Sequence, residues 1–201
     1  MIQILKYLYW EFCDWITVFI FNCPGKIGIK AREYFLRIKC RSSNICIHSL
    51  TGNLFLGYEN IHFSGSISMG RNCEFSALAG KISFGSRVAL NSSIFLGADY
   101  GEIKVGNDVL IGPNVVIRAA NHCFDLSPEI NINKQGHAGT SIEIGNDVWI
   151  GAHVTILSGA TIGDHCIIGA GAVVADHIPS CSIAVGVPAK VIRSITPRTK
   201  E

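Results

Sequence analysis

The sequence predicts an all-β fold, a parallel β-helix preceded by a short helical segment. Three observations carry that prediction. First, residues 144–178 read as six-residue phrases: IGNDVW IGAHVT ILSGAT IGDHCI IGAGAV VADHI. Second, each phrase opens on a branched aliphatic (Ile144, Ile150, Ile156, Ile162, Ile168, Val174), and a small or β-branched residue stands four places on. Strand side chains alternate, so an opening position and the residue two before it both point inward. Third, of the twelve opening positions from Phe84 to Val174, eight are followed by Gly, which suits a sharp corner. A fixed period this short describes one strand and one tight turn repeated around a prism. It does not fit the 3.6-residue period of an amphipathic helix.

The chain begins with MIQILKYLYWEFCDWITVFIF, dense in aromatic and aliphatic residues. Lys6, Glu11 and Asp14 interrupt the run and argue against a transmembrane span. At 100° per residue, Gln3, Lys6, Trp10, Asp14 and Thr17 fall on one arc, and Leu5, Leu8, Phe12, Trp15, Ile16 and Phe19 fill the other side. Pro24-Gly25 ends this helix. A second helical stretch runs to about Cys40, in a region (26–41) with six Lys or Arg against one Glu. Two readings stand for residues 1–41. They form a helical cap on the open end of the β-helix, or a peripheral membrane anchor whose basic residues face anionic lipid.

From about Ser42 the chain becomes strand and turn, at first irregularly (Phe63, Met69, Phe75). The register locks at Phe84, Leu90 and Leu96. Three extra residues around Asp99-Tyr100-Gly101 interrupt it, and it resumes at Val105, Ile111 and Ile117. A second break follows: NHCFDLSPEININKQGHAGTS, residues 121–141, leaves the scaffold as one long excursion. Long loops on a rigid frame usually carry function. The organisation expected is a helical segment 1–41, a β-helix 42–193 with its loop at 121–141, and a basic tail 194–201.

Bulk properties agree with one domain and a small appendage. The chain has 201 residues and a net charge of +2, which gives no case for nucleic acid. Its mean hydropathy of +0.34 is accounted for by a β-helix interior and the apolar N-terminus. Eight cysteines form no CxxC pair and no cleavable signal peptide is evident, so reduced thiols in a cytosolic protein are expected. Cys73 and Cys166 fall in small inward slots. Carried across both interruptions, the three-sided count assigns outward residues to three faces. Ser83, Lys104, Glu143 and Thr161 share one; Ala89, Leu110, Trp149 and Ile167 the next; Phe95, Val116, Thr155 and Val173 the last. One face is polar and two are largely apolar, as a three-fold assembly of prisms requires.

The repeats at 144–178, with NHCFD (121–125) and GVPAKVIR (186–193) beside them, resemble the hexapeptide-repeat acyltransferases over roughly residues 45–193. That resemblance implies a left-handed parallel β-helix acting as a homotrimer on acyl-CoA. The closest-looking branch is the sugar O-acetyltransferases, including those of bacterial capsule, O-antigen and exopolysaccharide synthesis. The hydrophobic–PG–basic N-terminus looks like that polysaccharide branch. The implied activity is transfer of acetyl from acetyl-CoA to a sugar hydroxyl by a cytoplasmic enzyme, peripheral on the inner membrane face if residues 1–41 bind lipid. Rival readings are a small-molecule acetyltransferase acting on free sugar or serine, and a β-helix scaffold without catalysis.

A hydroxyl attacking a thioester must lose its proton as it attacks, and histidine is the usual base. His122 stands at the mouth of the long loop, and the resemblance places the family's catalytic histidine there. Asp125 either orients that imidazole or caps the loop. By resemblance Trp149 stands near CoA and acceptor, Ala152 and Ala170 offer backbone to pantetheine, and Lys190 and Arg193 meet CoA phosphates. Asn91 and Asn121 are candidates for holding the acceptor. Two departures are visible: Asp176 replaces the lysine common after the last repeat, and Ala152 replaces a common serine. His153, His165 and His177 are twelve apart, each at the turn of its phrase, and a coil is eighteen residues. A step of twelve moves each to a different corner, so no metal site is expected.

Overall fold

The computed structural model describes residues 2–42, 46–124 and 129–195. Two helices, α1 (Ile2–Asn22) and α2 (Gly25–Lys39), precede short strands that wind into three sheets of eight, six and six strands, parallel throughout except for the last strand of the first, Lys190–Ser194. Successive strands pass from one sheet to the next, and each pairs with the strand one coil later. This is a three-faced, left-handed parallel β-helix.

The outward columns are those expected from the count. Ala89, Leu110, Trp149 and Ile167 pair in succession on the eight-stranded Trp149 face. Phe95, Val116, Thr155 and Val173 do so on the Thr155 face. Ser83, Lys104, Glu143 and Thr161 do so on the Lys104 face. Between them, inward residues from Ile61 to Ala184 stack into one continuous core, with Cys73 and Cys166 in the small slots. Pairing is already regular at Ile47–Ser49, earlier than the sequence suggested. The first coils are wider, and aromatic rings fill them: Phe55 stacks on Phe75 at 4.6 Å and Phe63 on Phe84 at 5.3 Å.

The turns explain two histidines. Arg87, Asp108, Asp147, His165 and Cys181 along one edge, and Asn72, Ser93, Asn114 and His153 along another, all hold positive φ between 53° and 60°. Asn, Asp and His tolerate that left-handed conformation better than most residues. His165 ties its turn to the equivalent turn of the coil before, its Nδ1 lying 2.9 Å from Asp147 Oδ2. His177 departs from the expectation that it too sits at a turn. It lies in a strand, its Nδ1 2.7 Å from Thr161 Oγ1, and Ile178 pairs with Ile162. The turn before it is two residues short of the period, and Pro179 holds Ile178 extended.

At the open N-terminal end, α2 packs on the first strand and buries Leu36 and Arg32. Arg32 is 1% exposed. Its Nε donates to the Ser49 carbonyl at 2.8 Å, and its Nη1 to the carbonyls of Ile20 and Cys23 at 3.1 and 2.7 Å. The last two belong to the end of α1, where backbone carbonyls lack helical partners. One guanidinium thus ties both helices to the first coil, and burial pulls it below its ordinary pKa. Among the described residues it is the end of α1 that is buried on the body, Phe21 against Phe35 and Phe55. Leu8, Phe12, Trp15 and Phe19 lie exposed, Phe19 at 72%. The cap reading therefore describes α2 and the last turn of α1.

Arg32→Met, which keeps the volume and removes three donated bonds, should lower unfolding stability by about 3 kcal/mol in urea titration. The same change should speed limited proteolysis of the helical segment.

Candidate active site

Both interruptions of the period fall on one corner, where the Thr155 face turns into the Lys104 face. On one coil, Ala98–Gly101 form a widened turn. Asp99 accepts hydrogen bonds from Ser76 Oγ (2.7 Å) and Leu78 N (3.0 Å) of the coil before. On the next coil the excursion begins and ends as a hairpin, Ala120–His122 pairing antiparallel with His137–Gly139. Ser158 on the following coil pins its foot, donating to the Ala119 carbonyl at 2.9 Å while its hydroxyl lies 2.8 Å from Thr140 Oγ1. A Cβ on Gly139 would strike the Tyr100 carbonyl oxygen. Glycine there lets the hairpin lie directly on the widened turn.

His122 and His137 face each other across this hairpin, ring centroids 4.2 Å apart and planes tilted by 42°. His137 also stacks on Tyr100, centroids 5.0 Å apart and planes within 2° of parallel. All three side chains are exposed, as is Asn121 beside them. Asp125 lies outside the described residues. His137 and Tyr100 were missed in the sequence. The signal existed, because the three-sided count places both breaks on one corner.

The other expected residues gather elsewhere. Trp149, 55% exposed, stands outward on its face. Trp149 and Asn91 line an open groove of about 410 Å³ together with His48, Ser68 and Leu110. Asn91 Oδ1 accepts from Ser92 N at 2.8 Å, which fixes its turn and leaves the amide nitrogen as its donor. A second groove of about 480 Å³, apolar along Leu110, Trp149 and Ile167, runs beside it under the Asp147–His165 pair. Ala152 and Ala170 occupy turns of successive coils where the Trp149 face gives way to the Thr155 face. Gly171 N donates to the Ala152 carbonyl at 2.9 Å. Lys190 and Arg193 are exposed on Lys190–Ser194, which folds back antiparallel on Ser182–Val185. Among the described residues no group of three or more His, Cys, Asp or Glu could hold a metal ion.

Two clusters therefore exist. Asn121 and His122 crown one corner of the prism; Trp149, Asn91, Lys190 and Arg193 belong to the face opposite that corner, with Ala152 and Ala170 at its edge.

The six-residue repeat of this parallel β-helix is the feature that a known family model matches. The family model described as bacterial transferase hexapeptide (six repeats) matches residues 141–176. Over 70% of this chain and 75% of the relative, the chain is 32% identical to WbbJ of Escherichia coli K12, a protein assigned to lipopolysaccharide biosynthesis as an O-acetyl transferase. It is 38% identical to the galactoside O-acetyltransferase of the same strain over 119 residues, 59% of this chain and 57% of that one. A solved galactoside acetyltransferase in complex with coenzyme A superposes with TM-score 0.55 at 31% identity, covering 89% of this chain and 77% of that one. The chain belongs to the hexapeptide-repeat acyltransferase family. Its matches span about half the length of several curated relatives.

Proposed function

We propose that this protein transfers acetyl from acetyl-CoA to a sugar hydroxyl in the synthesis of a bacterial surface polysaccharide. The observation that carries the reading is the exposed His122 on a hairpin pinned to three coils of a rigid prism. A general base needs an accessible imidazole held in place, and this corner supplies both. The relatives named for galactoside and lipopolysaccharide O-acetylation support a sugar hydroxyl as acceptor.

In the reaction His122 takes the hydroxyl proton as that oxygen attacks the thioester carbonyl. The tetrahedral intermediate then collapses, the C–S bond breaks, and the imidazolium returns the proton to the departing CoA sulfur. The apolar grooves along Leu110, Trp149 and Ile167 suit the pantetheine arm. Exposed Lys190 and Arg193 suit the phosphates, and the Ala152 and Ala170 backbone at the face's edge offers polar contacts to the amides. Asn91 in its groove and Asn121 beside His122 are the residues proposed to hold the acceptor.

His122 lies at the corner opposite the Trp149 face, so one prism cannot bring base and thioester together. A second copy can, by setting its corner against this face. Closure of that contact by three-fold rotation gives a homotrimer, with the two apolar faces inside and the Lys104 face in water. That face carries Lys104 paired with Glu143 at 3.1 Å and with Glu102 at 3.2 Å, as solvent-facing side chains do.

The helical segment supports a membrane-associated acceptor over a free sugar. No helix among the described residues is long and apolar enough to cross a membrane. Yet Leu8, Phe12, Trp15 and Phe19 leave an apolar surface uncovered, and Lys26, Lys39 and Arg41 are exposed nearby. Arg32 is withdrawn into the cap, and Lys30 and Arg37 both pair with Glu33 at 2.8 Å, so fewer cations are free than the sequence count suggested. Apolar insertion then provides most of the attraction, and the free cations steer it to anionic lipid.

A CoA-release screen across nucleotide sugars, free sugars and purified polysaccharide tests the activity; silence on every sugar class while serine is acetylated would overturn it. His122→Ala should keep its oligomeric state and lose turnover by about a hundredfold or more. Retention of a tenth of wild-type turnover would remove His122 as the base. Ile167→Lys should dissociate the trimer in sedimentation, because an unpaired charge buried in that face costs several kcal/mol. The full chain should bind anionic vesicles more tightly than neutral ones, with Phe12→Glu/Phe19→Glu abolishing both. Equal partition of that double variant and wild type would make α1 a structural element only.

A further inference from the structure

Among the described residues no hydrogen bond holds the His122 ring. Among the described residues neither of its ring nitrogens has a partner, so the contact that orients its ring is the one with His137. An exposed histidine samples several χ1 and χ2 wells. A general base that must point its lone pair at one hydroxyl cannot work from all of them, since misplacement by about 1 Å can cost a hundredfold in rate.

The hairpin supplies the restraint. His122 and His137 are directly opposite in its register, the closest relation two cross-strand side chains have. His137 is also stacked on Tyr100, and the backbone of Tyr100 is held by the scaffold. Its φ is +66°, its N–H donates to the Ala79 carbonyl at 3.1 Å, and Asp99 ties the same turn to Ser76 and Leu78. The chain of support runs from a rigid coil through Tyr100 to His137 to His122. Cys123 N donates to the Gly136 carbonyl at 3.1 Å and closes the hairpin beyond the histidines. The His137 ring therefore has a ring contact with each of its two neighbours, Tyr100 and His122.

We propose that His137, seated on Tyr100, is the positioning residue for His122: a flat ring that confines the catalytic imidazole to one orientation. The two breaks in the hexapeptide period are then one device, the first supplying the seat and the second the two histidines. This rests on the reading of His122 as the base. His137 takes part in no bond-making step, and what its role requires is planarity and fit to Tyr100.

That requirement separates it from a merely structural residue and from a second base. His137→Ala should lower kcat by about tenfold to a hundredfold, with KM for acetyl-CoA and acceptor changed by less than about threefold. His137→Phe, which keeps a flat ring and has no ionisable group, should recover kcat to within about threefold of wild type. Tyr100→Ala should reproduce the alanine variant and Tyr100→Phe should not. Calorimetric CoA binding and sedimentation, measured on every variant, identify any that misassemble. If His137→Phe is as slow as His137→Ala while both bind CoA normally, the stacking role is wrong. If His137→Ala keeps wild-type kcat while His122→Ala is inactive, this inference falls alone. If His122→Ala is active, the base assignment falls and this inference falls with it.

Discussion

Coil-to-coil backbone hydrogen bonding is the constraint on which everything else depends. Inside the stack, strands of two to four residues have their donors and acceptors met by the neighbouring coils, as in Leu110 N to Val148 O and Trp149 N to Cys166 O. Strands this short have no stability of their own, so register must be kept without error over the whole stack. A slip of one residue would turn every inward column to the outside. The six-residue period, the branched aliphatics at its opening and the residues held at positive φ all follow from this requirement. So does the uniformity of the faces, where a residue changes its neighbours only by changing its column.

A frame so regular leaves few places for chemistry, and these are the corners and the ends. The Thr155–Lys104 corner tolerates extra length because its turns lie outside the hydrogen-bonded ladders. Asp99, Tyr100 and the excursion of residues 121–141 leave the pairing of Lys104 with Glu143 undisturbed. The N-terminal end is an exposed row of backbone groups, a hazard for edge pairing. α2 covers it, and Arg32 satisfies three carbonyls at once, two at the end of α1 and one in the first strand. The C-terminal end is closed by the chain itself, where residues 190–194 turn back on residues 182–185.

The distribution of side chains over the three faces ties the frame to assembly. The Lys104 face carries the paired charges of Glu102, Lys104 and Glu143, whereas Leu110 and Trp149 are more than half exposed on theirs. A monomer would leave that apolar surface in water, at a cost proportional to its area. In the proposed trimer the same burial that covers it delivers His122 of one copy to the thioester groove of another. Assembly and catalysis are then one requirement.

The periodic part of the protein was legible in the sequence. Alternation and a six-residue phrase dictate which residues point inward, and simple counting carried the columns correctly across both interruptions. That worked because backbone geometry repeats and is local. His122 was visible for a related reason, standing where the period stops. What the tertiary structure decided lies where contacts are long-range and aperiodic. Nothing local in Tyr100 or His137, 37 positions apart, says that their rings stack, since that depends on how a hairpin settles on an earlier turn. Nothing in a row of lysines and arginines says that Arg32 is buried, because burial was fixed by carbonyls of Ile20, Cys23 and Ser49 converging on one point. The displacement of His177 into a strand likewise came from a turn two residues short, which the period alone does not announce. Repetition wrote the scaffold into the sequence, and the meeting of segments distant along the chain determined the site.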